Sequence, residues 1–286
     1  MTLLTRRLAL TVAALLLAGA SHAAPEAREG VDVGKNSAFT KLAPAEEVER
    51  LALQQYRQQL SAAAEKRALA PPDHPQLQRL RAIAQRIIPH ALPWNPRARN
   101  WQWEVNLIGS KQINAYCMPG GKIAFYTGIL DQLQLTDDEV AMIMGHEIAH
   151  ALREHARERM GKSAVTEGVA RLGGAVLSAW LGIDPRLTDG VARGGANLAV
   201  LSFSRSDETE ADLVGMELAA RAGYDPRAGV TLWQKMSAAS KGAPPQWLST
   251  HPAGKTRIAE IEQNLPKVMP LYERARTSGQ RLPTFP

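Results

Sequence analysis

Five consecutive residues, His146-Glu147-Ile148-Ala149-His150, set two imidazoles four positions apart with a carboxylate beside the first. On a helix, residues four apart lie one above the other, so both rings can reach a single ion. Neutral imidazole is a good zinc ligand, and H-E-x-x-H on a helix is a pattern that binds zinc, with its Glu as general base. Glu147 is rotated by one residue from His146, which puts its carboxylate beside a metal rather than on it. From there it can deprotonate a water whose pKa the metal has lowered. The competing reading is a helix carrying two histidines on a wet face. Ala141, Met142, Ile143, Met144, Ile148 and Ala149 weaken it, because they make the segment apolar nearly all round. Two unpaired imidazoles buried there would be costly.

A catalytic zinc takes a third protein ligand and keeps a fourth position for water. His155 is one candidate. It lies nine residues after His146, so a continuing helix turns it about 180° away, and the expectation is a solvated surface residue. Arg153 and Ala156 stand where another zincin pattern needs Gly and His. The run from Ser204 to Asp212 is better placed. Glu208 and Asp212 are four apart and share a helix face, so one carboxylate can bind zinc while the other accepts from a ligand imidazole N–H and fixes its tautomer. The alternative is an acidic, solvated first turn favoured by the helix dipole; the upstream motif favours the metal. Asp207 and Glu210 are expected to project elsewhere. His251, before Pro252 and therefore biased to extended backbone, is suited either to steadying an oxyanion or to taking the open zinc position. Arg257 is suited to a substrate carbonyl or to pairing with an acid.

These side chains need scaffolding, and the sequence supplies it. Thr136 with Glu139 forms a capping box that opens the helix carrying the two histidines. Ser206 or Asp207 is positioned to open a second helix through Arg221, Asp225-Pro226 a third, and residues 255–263 read as a late helix. Upstream, apolar residues recur at helical spacing from Pro44 to about Leu69, and again after Asp73, which is placed to cap a second helix with a stripe of Leu77, Leu80, Ile83, Ala84, Ile87 and Ile88. Between these lie strands. Residues 101–107 alternate as in a half-buried strand, and 113–118 and 122–126 are short strands separated by Pro119-Gly120-Gly121. Pro119 suits an edge or a strand end. Strands cluster in 100–126 with helices elsewhere, so the fold expected is α+β, mainly helical, with a small sheet beside the active-site helix.

The chain resembles the HtpX/Ste-type zinc metallopeptidases, the gluzincins that include the CAAX prenyl proteases, the mitochondrial Oma proteins and the exported BepA/LoiP-like branch. The resemblance rests on His146 to His150 and on Ser204-Arg205 through Glu208 to Ala211-Asp212. Asn114-Ala115, Pro119 to Ile123 and Thr127 to Leu130 are similar to the family's segment before the active helix. Ser249-Thr250-His251-Pro252 with Arg257-Ile258 is similar to its C-terminal signature. It implies a gluzincin domain over roughly residues 75–265, with one zinc ion, Glu208 as third ligand and Asp212 as the partner of a ligand imidazole. The implied reaction is amide hydrolysis of unfolded or misassembled exported proteins, with Glu147 as base and His251 steadying the oxyanion. A chaperone-like binding module with a structural or inactive zinc site is the alternative.

The N-terminus fits that branch. Arg6 and Arg7 precede an uncharged run over 8–19 and then Ser21-His22-Ala23, the order of a secretory signal cleaved after Ala23. The expected organisation is a signal peptide over 1–23, a flexible linker and N-terminal helix over 24–70, the peptidase domain over 71–265 and a tail over 266–286. Later uncharged stretches, 173–183 and 194–204, are too short to span a bilayer. The expected location is the periplasm, soluble or peripheral to the membrane. The formal net charge of +6 is spread rather than striped, which reads as solubility and not nucleic-acid binding. Polypeptide substrates are the expected partners, with peripheral contact to a membrane surface or to outer-membrane proteins. Cys117 is the single cysteine, expected in a buried strand, so no intrachain disulfide forms. The glycine-rich residues 163–203 are expected either as a flap over the zinc cleft or as packed helices; a membrane-associated scaffold built on them is a third reading of the chain.

Overall fold

The computed structural model describes residues 28–167, 203–240, 246–251 and 256–278. The signal segment 1–23 and most of the glycine-rich stretch, 168–202, lie outside the described residues. Helix α1 spans Ala45–Glu65 and α2 Pro75–Ile87; strands β1, β2 and β3 are Glu104–Ile108, Ala115–Met118 and Lys122–Tyr126. Helices α3 (Thr127–Leu133), α4 (Asp137–Leu152) and α5 (His155–Glu167) follow, and α6 is Arg205–Arg221. The last three are α7 (Ala228–Ala239), α8 (Gln246–Thr250) and α9 (Arg257–Thr277). This is the expected mainly helical α+β arrangement. No described helix is long and apolar enough to cross a membrane.

The sheet runs in the order β1-β3-β2, with β1 parallel and β2 antiparallel to β3. Pro119-Gly120-Gly121 closes the β2–β3 hairpin, with Gly120 and Gly121 both at positive φ (87° and 78°). Edge strand β2 packs against α4, and its Cys117 is buried as expected. The half-buried strand over 101–107 is corrected in two ways. Residues 96–100 form a 3-10 turn capped by the Asn95 side chain, which delays β1 to Glu104. Both faces of the sheet are also covered. One packs into a core shared with α2, α4 and α6, and the other beneath α1, where Tyr56, Tyr116 and Tyr126 gather. Polar Asn106 is buried there because it donates to Tyr56 Oη at 3.0 Å, while Tyr56 donates to the Ile123 carbonyl at 2.8 Å.

Caps fix the helices that carry the site. Thr136 and Glu139 form the expected reciprocal capping box on α4. Helix α6 is opened by Ser204 rather than by the expected Ser206 or Asp207, because Ser204 and Asp207 make a second capping box. His74, not Asp73, caps α2, accepting from Gln76 N. Helix α7 starts three residues after Asp225, and α9 extends well past residue 263, through Pro266 and Pro270, to Thr277. The linker expected over 24–43 is also ordered where described. Glu217, buried on α6, draws Arg28 and the Val31 N–H onto itself, since a buried carboxylate needs donors.

Candidate active site

His146 and His150 project from one face of α4, their Nε2 atoms 3.1 Å apart. Helix α6 crosses α4 and brings Glu208 to them, with Oε2 3.7 Å from His146 Nε2 and Oε1 3.6 Å from His150 Nε2. His251, at the end of α8, completes the group. One ligand atom from each of His146, His150, Glu208 and His251 lies within 4.8 Å of the others, and all four residues are buried. The expected candidates therefore meet in space although Glu208 and His251 come from separate, distant segments.

The group suits a metal ion. Glu208 Oε1 and His251 Nε2 are buried without a hydrogen-bond partner, which is costly unless something binds there. Burial holds His146 down to about 4 and pushes His150 and His251 well below the usual imidazole range. All three are therefore neutral near pH 7 and offer lone pairs, as metal ligation requires. Burial also raises Glu208 well above the carboxylate range, despite the opposing pull of Arg257; a bound cation would favour its ionised form.

A clamp behind these atoms sets their direction. Asp212 Oδ1 lies 3.0 Å from His146 Nδ1, so the far nitrogen of that ring has a carboxylate acceptor and Nε2 is left for the ion. Arg257 donates twice to Asp212 and once to Glu208, each at 2.6 Å, and stacks 3.8 Å over Trp233. Its role is thus pairing with acids. Burial opposes ionisation of Asp212, but Arg257 and His146 outweigh it and hold its pKa below the usual value.

Glu147 faces the group from beside the histidines, as its one-residue offset predicts. Trp247 Nε1 donates to Glu147 Oε1 at 2.6 Å, and His251 Nε2 is 3.7 Å from the same oxygen. Burial pushes Glu147 up to about 8, against Trp247, Arg257 and the Cys117 backbone. Trp247 has no motif of its own in the sequence; its spacing of four before His251 on a short helix is the only mark, and their rings stack at 4.8 Å. Phe203, stacked 3.9 Å from His150, is likewise unmarked.

One expectation is overturned. His155 is buried, not solvated, and its Nδ1 lies 2.9 Å from His150 Nδ1. The helix does not continue: α4 ends at Leu152, Glu154 takes a left-handed conformation (φ 59°), and α5 restarts at His155. That break redirects the ring toward the site. Glu210 lies outside the four-residue donor group but is close by, bonded to Arg153 and His155.

Comparison with known proteins agrees with this geometry. The chain is 39% identical over 163 residues to the mitochondrial metalloendopeptidase OMA1 of Arabidopsis thaliana, covering 56% of this chain and 31% of that protein. To the OMA1 of Saccharomyces cerevisiae it is 30% identical over 227 residues, 74% of this chain and 62% of that protein. To the beta-barrel assembly-enhancing protease of Escherichia coli it is 28% identical over 202 residues, 68% of this chain and 40% of that protein. The chain thus spans less than two thirds of the length of each. The model of peptidase family M48 matches residues 74–265, which hold both halves of the buried His and Glu group, and the chain belongs to that family.

Proposed function

We propose that the chain is a zinc-dependent endopeptidase acting on unfolded or misassembled exported polypeptides. The observation that carries this is the meeting of His146, His150, Glu208 and His251 in one buried group, with the Glu147 carboxyl fixed beside it by Trp247. His146, His150 and Glu208 would hold the ion, one per chain, which when bound supplies Lewis-acid polarisation of a carbonyl and acidifies water. Glu147 takes the proton from the attacking water and returns it to the leaving amine. Its proton affinity, raised by burial, suits it to keep that proton between the two transfers. Asp212 and Arg257 hold ligand atoms in register through both steps. The edge of β2, packed over α4, supplies backbone groups against which an extended substrate can lie.

His251 takes the fourth donor position in this reading, so that the resting site is closed and substrate entry displaces it. A closed four-donor group is also what a structural zinc site would use. Glu147 speaks for the enzyme: a buried carboxyl aimed by an indole N–H but outside the donor group has no purpose in a structural site. Exported location rests on the Arg6-Arg7 and Ser21-His22-Ala23 signal alone; the OMA1 relatives are mitochondrial by name. Zinc stoichiometry of the purified chain, with casein cleavage before and after chelation, tests the reading. About one zinc per chain and chelator-sensitive cleavage are expected. Zinc without cleavage would favour the binding module.

A further inference from the structure

The two histidines of α4 are oriented by different devices. His146 Nδ1 meets a carboxylate directly, in Asp212. His150 Nδ1 meets another imidazole, His155, at 2.9 Å. His155 Nε2 in turn lies 3.4 Å from Glu210 Oε2. Glu210 is fixed by Arg153, whose Nε donates to that oxygen at 2.8 Å and whose Nη1 donates to the Gly34 carbonyl at 3.1 Å. His150 and His155 are both buried, so these nitrogens have little access to water as a substitute.

Proton counting allows one arrangement when His150 Nε2 holds a metal. Its Nδ1 then carries the hydrogen and must donate. His155 Nδ1 must accept, so the His155 proton sits on Nε2 and is donated to Glu210. We propose that His155 is a positioning residue for the metal site: with Glu210 and Arg153 it forms an imidazole–carboxylate relay that fixes the His150 tautomer and aims its Nε2 at the ion. Phe203, stacked on the His150 ring, fixes the ring plane, and the relay fixes rotation within it. The left-handed Glu154 is the backbone element that makes the relay possible, because a straight helix would carry His155 to the far side. The inference rests on the metal reading above.

The test measures zinc affinity by chelator competition on purified full chain, with near-ultraviolet circular dichroism of the metal-free proteins as the fold control. His155→Ala removes the acceptor and is expected to weaken zinc binding about 10- to 100-fold, the usual effect of losing such a partner. His155→Asn places an amide oxygen where Nδ1 stood, and should restore affinity to within about threefold of wild type. Glu210→Ala, at a half-buried position where Arg153 keeps the Gly34 and Val33 carbonyls as acceptors, should weaken binding several-fold, and, with the same circular dichroism control, reports on the relay even if His155→Ala fails to fold. Equal zinc affinity of His155→Ala and wild type, or equal losses in the Ala and Asn variants, would overturn the relay alone. So would wild-type affinity in Glu210→Ala. Absence of zinc binding by the wild-type chain would instead overturn the metal reading and the relay with it.

Discussion

Gly145 on α4 and Gly215 on α6 meet backbone to backbone. A Cβ at Gly145 would sit 2.5 Å from the Gly215 carbonyl oxygen, and one at Gly215 would sit 2.5 Å from the His146 amide nitrogen. The contact lies next to His146, and it lets the two helices approach closely enough for Glu208 and Asp212 to reach both sides of that ring. The neighbours are backbone, which cannot rotate away. Gly215→Ala is therefore expected to cost roughly 1–3 kcal/mol by overpacking and to lower zinc affinity, because separating the helices withdraws Glu208. Denaturant unfolding with and without zinc checks both, and an unchanged midpoint would show that the helices part without consequence.

The α4 capping box should matter for stability rather than chemistry. Thr136→Ala is expected to cost about 1 kcal/mol. Glu139 adds a pH signature. Burial alone would raise its pKa, but Lys235, the Thr136 backbone and Thr231 together outweigh that and hold it below 4.5. The folded state thus binds this proton less readily than the unfolded one, so the stabilisation is complete above the unfolded value and fades as pH falls through the folded one. The melting-temperature gap between wild type and Glu139→Gln should accordingly be widest near neutrality and narrow below about pH 4.5. A gap that widens with acid would contradict the assignment.

Glu208→Ala is expected to abolish stoichiometric zinc binding and to destabilise the chain in zinc-containing buffer, since metal binding contributes folding free energy. It also leaves the buried Arg257 with Asp212 as its remaining acid among the described residues. Metal analysis and melting with and without zinc report on it. Retention of about one zinc per chain would remove Glu208 from the ligand set.

His251→Ala should raise basal casein cleavage several-fold without loss of zinc, because three protein ligands remain and the fourth position opens. A large loss of cleavage with zinc retained would instead assign His251 to oxyanion stabilisation.

Much of the site was legible because helical spacing converts residue numbers into directions. His146 with His150 and Glu208 with Asp212 obey that rule, and both pairs sit on capped, uninterrupted helices. His155 escaped because one left-handed residue, Glu154, breaks the periodicity, and nothing in Arg153-Glu154 marks a break as glycine or proline would. Trp247 and Phe203 escaped because aromatic residues in loops and short helices become site residues only through tertiary contact. The sheet misled in its burial for a related reason. Alternation over 101–107 reports one apolar face, whereas α1 covers the other, and the hydroxyl of its Tyr56 partners the buried Asn106 there.

Glu147 bears on the central claim most directly, because it is the one carboxylate at the group assigned chemistry without ligation. Glu147→Gln keeps the size of the side chain and an acceptor for Trp247 Nε1 but cannot take a proton. The measurement is zinc content and casein cleavage on the same preparation. Wild-type zinc content with cleavage lowered at least about 100-fold, the range of a lost general base, is the predicted result. Zinc lost together with activity would make Glu147 a ligand, and cleavage retained with zinc bound would remove it from the reaction; either result contradicts the account.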